Sequence, residues 1–369
     1  MVIGPADEYL IHQLPVPVAQ TAGETNFYDR YWYNGYSSDG SLFFAGGLAV
    51  YPQLGIVDAA FSFMYQQKQY NLRASRHMDA DRSRAEVGPI KIEVIEPLRS
   101  FRVCIDAPEQ GFVANLCFQA RFDPVEEIRH QYRPGNRVIL DSTRVTQLGN
   151  WQGRLAVQGI EMQLEPADIL GTKDRSWGIR PVGRVTRPEP ESATYLEPQF
   201  FWLWAPCHLT NTGVILYRND DRQGQPWNRG GKWQADAAHN LSDVRFETEY
   251  AQGTRRVQRA TASGLLPDGR MLELVIEPIR RPFFMSALGY MHPEWGQGMD
   301  QGPLAVASDS YDLTQPDAQI PPWLHIQDFS RTYLYIDGKE QDSGCGVLEQ
   351  LLLGQHRPSG FQSLLDPIL

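Results

Sequence analysis

Apolar positions along this chain fall in short runs, and within the runs they tend to alternate. "SLFFAGGLAVYP", "GIVDAAFSFMY", "PIKIEVIEPL" and "GFVANLCFQARF" in the first half are rich in β-branched and aromatic residues, as are "QFFWLWAPCHL", "GVILYRND" and "VRFETEYA" in the second. Gly, Pro, Asn or Asp interrupts them every ten or so residues, the pattern of antiparallel strands forming a sandwich or barrel rather than of βαβ units. Asp-Gly and Asn-containing turns readily take positive φ, so "SDG" (Ser38–Gly40), "LGNWQG" (Leu148–Gly153) and "LPDGR" (Leu266–Arg270) read as hairpin turns. Helical periodicity is scarce. "DSGCGVLEQLLLG" (Asp342–Gly354) reads as a short C-terminal helix with a glycine stop, and "PVEEIRHQY" (Pro124–Tyr132) as a turn of helix or a loop.

One strand pattern occurs twice. Val-Ile-Glu-Pro-Leu-Arg at Val94–Arg99 returns as Val-Ile-Glu-Pro-Ile-Arg at Val275–Arg280, and "APEQG" (Ala107–Gly111) has a fainter echo in "HPEWG" (His292–Gly296). These echoes predict an all-β unit written twice. The stretch Arg180–Gln199, rich in Pro and Glu and without periodicity, is where the boundary is expected. The expected domains are therefore residues 1–185 and 195–369, each an antiparallel β-barrel or sandwich, the second carrying the terminal helix.

Composition narrows the partners. Hydrophobic residues at 42% and charged residues at 21% are ordinary globular values. A net charge of −10 argues against a nucleic-acid partner, which would need a basic face. The start "MVIGPADEYLIHQL" has neither a basic region nor a long apolar run, so it does not read as a signal peptide, and no apolar run is long enough to span a membrane. The four cysteines are scattered with no Cys-x-x-Cys pair, which predicts a reduced, cytoplasmic chain without disulfides. No two histidines fall at i,i+2 or i,i+4, no phosphate-binding or dinucleotide fingerprint occurs, and no nucleophile elbow is present. No metal and no cofactor is expected, and a homodimer is left open.

Four segments carry unusual chemistry. In "GTKDRSWGIR" (Gly171–Arg180) an acid, bases, a hydroxyl and an indole cluster between glycines. Asp174 facing an apolar cavity would be a proton donor of raised pKa; paired with Arg175 or Arg180 it would only stitch the chain. In "GYMHPEWGQGMDQG" (Gly289–Gly302), His292 and Glu294 could orient one another as an acid/base pair beside Trp295, or His292 could simply bind backbone in a structured loop. In "NFYDRYWYNGY" (Asn26–Tyr36), Tyr31, Tyr33 and Gly35 would share one strand face and Trp32, Asn34 and Tyr36 the other. "QFFWLWAP" repeats the style, with Trp202 and Trp204 on one face; such stripes suit either a core or a ligand wall. In "NLRASR", Asn71, Arg73 and Ser75 alternate onto one face, as a polar stripe toward a ligand or toward solvent.

"GTKDRSWGIR" resembles the Asp-His-x-Trp-Gly signature of the hydroxyneurosporene synthase (carotenoid 1,2-hydratase)/AttH-like superfamily. "YNGYSSDGSLFFAGGLAVYP", "NLRASR" and "GYMHPEWGQG" are similar to a bacterial branch of it. The resemblance implies two lipocalin-like domains in tandem and cofactor-free handling of apolar isoprenoid or polyketide molecules. It makes Asp174 the implied acid, with Trp177 and Gly178 at the matching positions. Arg175 stands where the signature has His, and an arginine stays protonated, so it cannot relay a proton. The expected function is a cofactor-independent lyase or isomerase, of hydratase or cyclase type, acting on an isoprenoid or lipid-like substrate in an interdomain pocket. Asp174, His292 and Glu294 would be catalytic, and Trp177, Arg175, Tyr33, Asn34, Arg73, Trp204 and Trp295 would contact substrate. The rival expectation is a non-catalytic binding or transfer protein for a hydrophobic small molecule.

Overall fold

The structure, a computed structural model, describes residues 3–12, 24–133, 138–183, 198–279, 282–314 and 321–366. The chain is all-β, with one half-barrel sheet and one closed eight-stranded barrel, the tandem lipocalin-like architecture expected. It divides into two compact units, Met1–Gly183 with Ser286–Gln315, and Arg184–Met285 with Pro316–Leu369. Most of the stretch read as a boundary, Arg180–Gln199, and Arg280 of the repeated pattern lie outside the described residues. The segment Ser286–Gln315, beginning eight residues after the second Val-Ile-Glu-Pro copy, belongs to the first unit.

In the first unit, hairpins join β1 (Phe27–Ser37), β2 (Leu42–Tyr51), β3 (Ile56–Tyr65) and β4 (Lys68–His77). The strand Leu304–Asp312 adds antiparallel to β4. On the other side, β1 pairs with Ile169–Ile179, which pairs with the long strand Leu140–Val157, and the order continues to Glu86–Val87. The Ser38–Gly40 turn forms as read, with Gly40 at φ 70°. Leu148–Gly153 does not turn: it runs inside the 18-residue strand Leu140–Val157. Its glycines let strands approach closely, since a Cβ on Gly149 would meet Phe118 and Gln119 and one on Gly153 the Asn115 carbonyl. Trp151 between them is fully buried, with Tyr33, Phe44, Phe101 and Phe118 rings at 5.3–5.4 Å. Truncating such a side chain costs about 3–5 kcal/mol. "PVEEIRHQY" forms two short strands, Val125–Glu126 and His130–Tyr132, both paired to Leu140–Val157.

In the second unit the pairing order runs from Met271–Pro278 back to Phe200–Leu209, then through Lys339–Leu353 to His325–Ile336. Pairing of Met271–Pro278 with His325–Ile336 closes the ring. The expected C-terminal helix is absent here, because Asp342–Leu353 belongs to the strand Lys339–Leu353. That strand lies between two neighbours and buries Cys345 to Gln350 without interruption, and a doubly buried strand reads as a continuous apolar run with no period of two. Among the described residues no helix is long and apolar enough to cross a membrane.

Candidate functional site

The strand Ile169–Ile179 carries charge on both faces, and both are buried. Register explains the sorting: Trp32, Asp174 and Thr146 form one row across three strands, as do Arg30, Ser176 and Arg144. The intervening rows, Tyr31–Arg175–Val145 and Tyr33–Lys173–Gln147, point the other way. Asp174 and Arg175 therefore never meet. Gly178 ends the motif at φ 132°, where a Cβ would meet the Asp141 carbonyl at 2.2 Å.

On the first face, Asp174 Oδ2 pairs with Arg144 Nε at 2.9 Å, while Oδ1 is buried without a hydrogen bond. The same guanidinium stands 3.8 Å from Glu127, whose carboxylate accepts hydrogen bonds from Thr146 (2.7 Å) and contacts His130 Nε2 (3.1 Å). Asp174, Glu127, His130 and Thr146 are all buried. Burial pushes the Asp174 carboxyl above the usual carboxylate range, against the pull of Arg144 and Arg30. Burial acts on Glu127 too, but there the Arg144 charge and the His130 and Thr146 hydrogen bonds outweigh it and hold the carboxyl low. Burial also lowers His130, so the imidazole is neutral. Two carboxyls around one guanidinium are thus driven apart, the arrangement that separates an acid from a permanent anion.

A cavity of about 30 Å³ opens on the same face of the sheet, lined among others by Arg30, Trp32, Asp58, Arg73, Ser75 and Trp295. Asp58 accepts from the Gly298 amide at 2.7 Å and from Tyr51 at 3.2 Å, yet burial pushes its pKa up to about 6. Arg73 ties the overlying segment down, donating to the Ala287 carbonyl (2.9 Å), Asp309 (2.8 Å) and Tyr311 (2.9 Å). Asp309 also takes the Asn71 amide at 2.7 Å.

The remaining expected residues fall elsewhere. Arg175 lies on the second face, bound to Asp29 at 2.7 Å and stacked 4.0 Å above the Tyr31 ring. Trp177 shares that side and stacks on His12 at 3.5 Å. Lys173 bonds the buried Glu8 carboxylate, and burial pulls the ammonium pKa down to about 8. Tyr33 is core, its hydroxyl buried without a hydrogen bond and driven far above the phenol range. Asn34 accepts the Thr172 amide at 2.8 Å and stitches strands. His292 accepts the amides of Glu294 (3.2 Å) and Trp295 (2.9 Å) through Nδ1, while Glu294 is exposed, so the two side chains form no acid/base pair. Trp204 lies in the second unit, on the strand whose Trp202 donates to Glu349 at 2.9 Å, alongside His325 and Gln327.

The sequence singled out Asp174, Arg73 and Trp295, which the structure places on this face, but not Asp58, Arg144, Glu127, His130 or Arg30 beside them. Asp58 did leave a signal, as a lone carboxyl in the apolar run "GIVDAAFSFMY". Arg144 and Glu127 left none, because they meet Asp174 only through strand register. Among the described residues no group of three His, Cys, Asp or Glu side chains is placed to hold a metal ion.

The chain is similar in structure to an AttH candidate of Nitrosomonas europaea, at 14% identity and a TM-score of 0.52 over 89% of this chain and 93% of that one. CghA is similar at 11% identity and a TM-score of 0.54, over 96% and 95%. Kievitone hydratase from Nectria haematococca aligns at 12% identity over 95% and 93%, with a TM-score of 0.49. At these identities the first two show a shared fold, and nothing is drawn from the third. No curated protein matches the sequence. A family model spans residues 3–362, and the chain belongs to that family, the family of unknown function DUF8625.

Proposed function

We propose that the chain is a lyase or isomerase, of hydratase or cyclase type, that works by proton transfer at Asp174 without a cofactor. The observation that supports this most is the divergence of two buried carboxyls around Arg144: Asp174 is raised and Glu127 lowered. A raised, buried carboxyl keeps its proton to higher pH than an ordinary one and can deliver it to an apolar group such as an alkene. The cation so formed would be met by the Trp32 indole and the Glu127 charge. Capture by water gives hydration; capture by a second double bond gives ring closure; loss of the proton back to Asp174 gives isomerisation. The substrate is an isoprenoid or similar lipid-like molecule, in keeping with the resemblance at "GTKDRSWGIR". Such a molecule exceeds the cavity of about 30 Å³ beside Trp32, so on this reading the segment carrying Trp295 moves aside when substrate enters.

Native mass spectrometry of the purified chain, followed by extraction, identifies the apolar molecule it retains. Turnover of that molecule is then compared in wild type and Asp174→Asn. Ligand kept and turnover lost supports the proton-transfer reading. Ligand handling identical in both proteins removes Asp174 from any catalytic role and assigns the chain to binding or transfer.

A further inference from the structure

The second unit holds a separate constellation that the Asp174 chemistry does not use. His356 precedes the short turn Arg357–Ser359, which Gly360 closes in the left-handed region at φ 77°. That turn brings the Ser359 hydroxyl to 2.8 Å from His356 Nδ1. On the other side of the imidazole, Nε2 lies 3.2 Å from Asp220 Oδ2. Asp220 is itself fixed by Arg218, whose Nε donates to Oδ1 at 2.7 Å. The ring is stacked on Phe201 at 3.8 Å, so it cannot swing away freely. Asp220 and His356 are buried, while Ser359 is half-buried.

The direction of the hydrogen bonds is consistent from end to end. Thr248 donates to the Tyr250 hydroxyl at 3.0 Å, which leaves the Tyr250 proton for Ser359 Oγ, 2.6 Å away. Ser359 then gives its own proton toward Nδ1, and the Asp220 carboxylate keeps the other ring proton on Nε2. This is the tautomer a general base needs. Thr248, Tyr250, Ser359 and His356 line a cavity of about 180 Å³, whose apolar wall includes Phe201, Leu203 and Phe246.

We propose that Ser359, His356, Asp220 and Tyr250 form an acyl-transfer site for short-chain esters. Ser359 Oγ attacks the ester carbonyl as its proton passes to His356 Nδ1. The negative charge that develops on the carbonyl oxygen accepts the Tyr250 hydroxyl proton as a hydrogen bond. Collapse breaks the acyl–oxygen bond, and the alcohol leaves with the proton from His356. Water, deprotonated by the same nitrogen, then hydrolyses the acyl-Ser359 ester and releases the acid. Asp220 is a positioning residue throughout. The cavity is below the size of pockets for drug-sized ligands, which restricts the acyl group to a short chain.

The full chain is treated with an ethyl fluorophosphonate and mapped by peptide mass spectrometry, and p-nitrophenyl acetate hydrolysis is followed in parallel. Phosphonylation of Ser359 is expected, with hydrolysis reduced at least ~100-fold in Ser359→Ala and in His356→Gln. Tyr250→Phe keeps the ring packing on Phe361 (5.3 Å) and is expected to lower the acylation rate ~10- to 100-fold. Circular dichroism identifies any variant that fails to fold, and Tyr250→Phe carries the test if His356→Gln does. Unmodified Ser359 in the folded wild type overturns the proposal. So does equal hydrolysis by wild type and Ser359→Ala, or labelling that is insensitive to Tyr250→Phe.

Discussion

The two faces of the strand Ile169–Ile179 hold similar numbers of buried charges and put them to opposite ends. On one face Arg175 meets Asp29, which also receives His12, and Lys173 meets Glu8; each charge has a partner of opposite sign from the N-terminal segment or β1. On the other, Arg144 is shared between two carboxyls, and one of them is pushed toward its protonated form. Where partners outweigh desolvation a carboxyl stays ionised and holds strands together, as Glu127 does; where desolvation wins over Arg144 and Arg30, as at Asp174, a proton is left that can be moved. Burial alone therefore does not identify a site, and the balance of desolvation against the charges and hydrogen bonds around each carboxyl does.

The sharpest way to break the comparison is Asp174→Asn. Proton-transfer groups contribute about 10²–10⁴-fold, so turnover of the retained ligand should fall by that factor while the unfolding midpoint stays or rises, because a raised buried carboxyl destabilises the fold. A thermal scan showing Asp174→Asn strongly destabilised would make this face structural like the other. Next in size is Arg175→Met, which leaves Asp29 buried with only His12 and should cost about 3–5 kcal/mol in denaturant unfolding of the first unit. Asp58 supplies the pH arm. Its folded pKa of about 6 lies above the unfolded value, so the folded state holds its proton longer and this group's contribution to stability falls as pH rises from about 4 to 6. Asp58→Asn should flatten that slope and raise stability at pH 7 by about 2 kcal/mol after discounting for partial exposure. The smallest effect belongs to Tyr33→Phe, which removes a buried hydroxyl without a hydrogen bond. It should be neutral or stabilising by up to about 1 kcal/mol; a loss of ligand binding instead would return Tyr33 to the ligand wall.

Much of this architecture was legible because alternation is a local property. The split of Tyr31 and Tyr33 from Trp32 and Asn34 needs only a period of two, and the Asp-Gly turns need only positive φ. Asp174 stood out because glycines bracket it. Its surroundings did not, since Thr146, Arg144 and Glu127 reach it through pairings more than twenty-five residues distant in sequence. Asp342–Gly354 misled for a related reason: Val347, Leu348, Leu351 and Leu352 fall at helical spacing, yet a strand with partners on both sides needs no polar alternation. Leu148–Gly153 misled because glycine serves a close interstrand approach as well as a turn.

The open sheet of the first unit also has a consequence for how the chain behaves in a crowded solution. A closed ring has no free backbone rim, whereas an open one ends in strands onto which a foreign strand can add, the first step of aggregation. Among the described residues the pairing order ends at Glu86–Val87, only two residues long, and at Leu304–Asp312, which carries Asp309 and Asp312. One rim is too short to template a neighbour, and the other ends in the exposed carboxylate of Asp312. Lengthening the first or neutralising the second is thus the change that should make this sheet prone to adding a foreign strand.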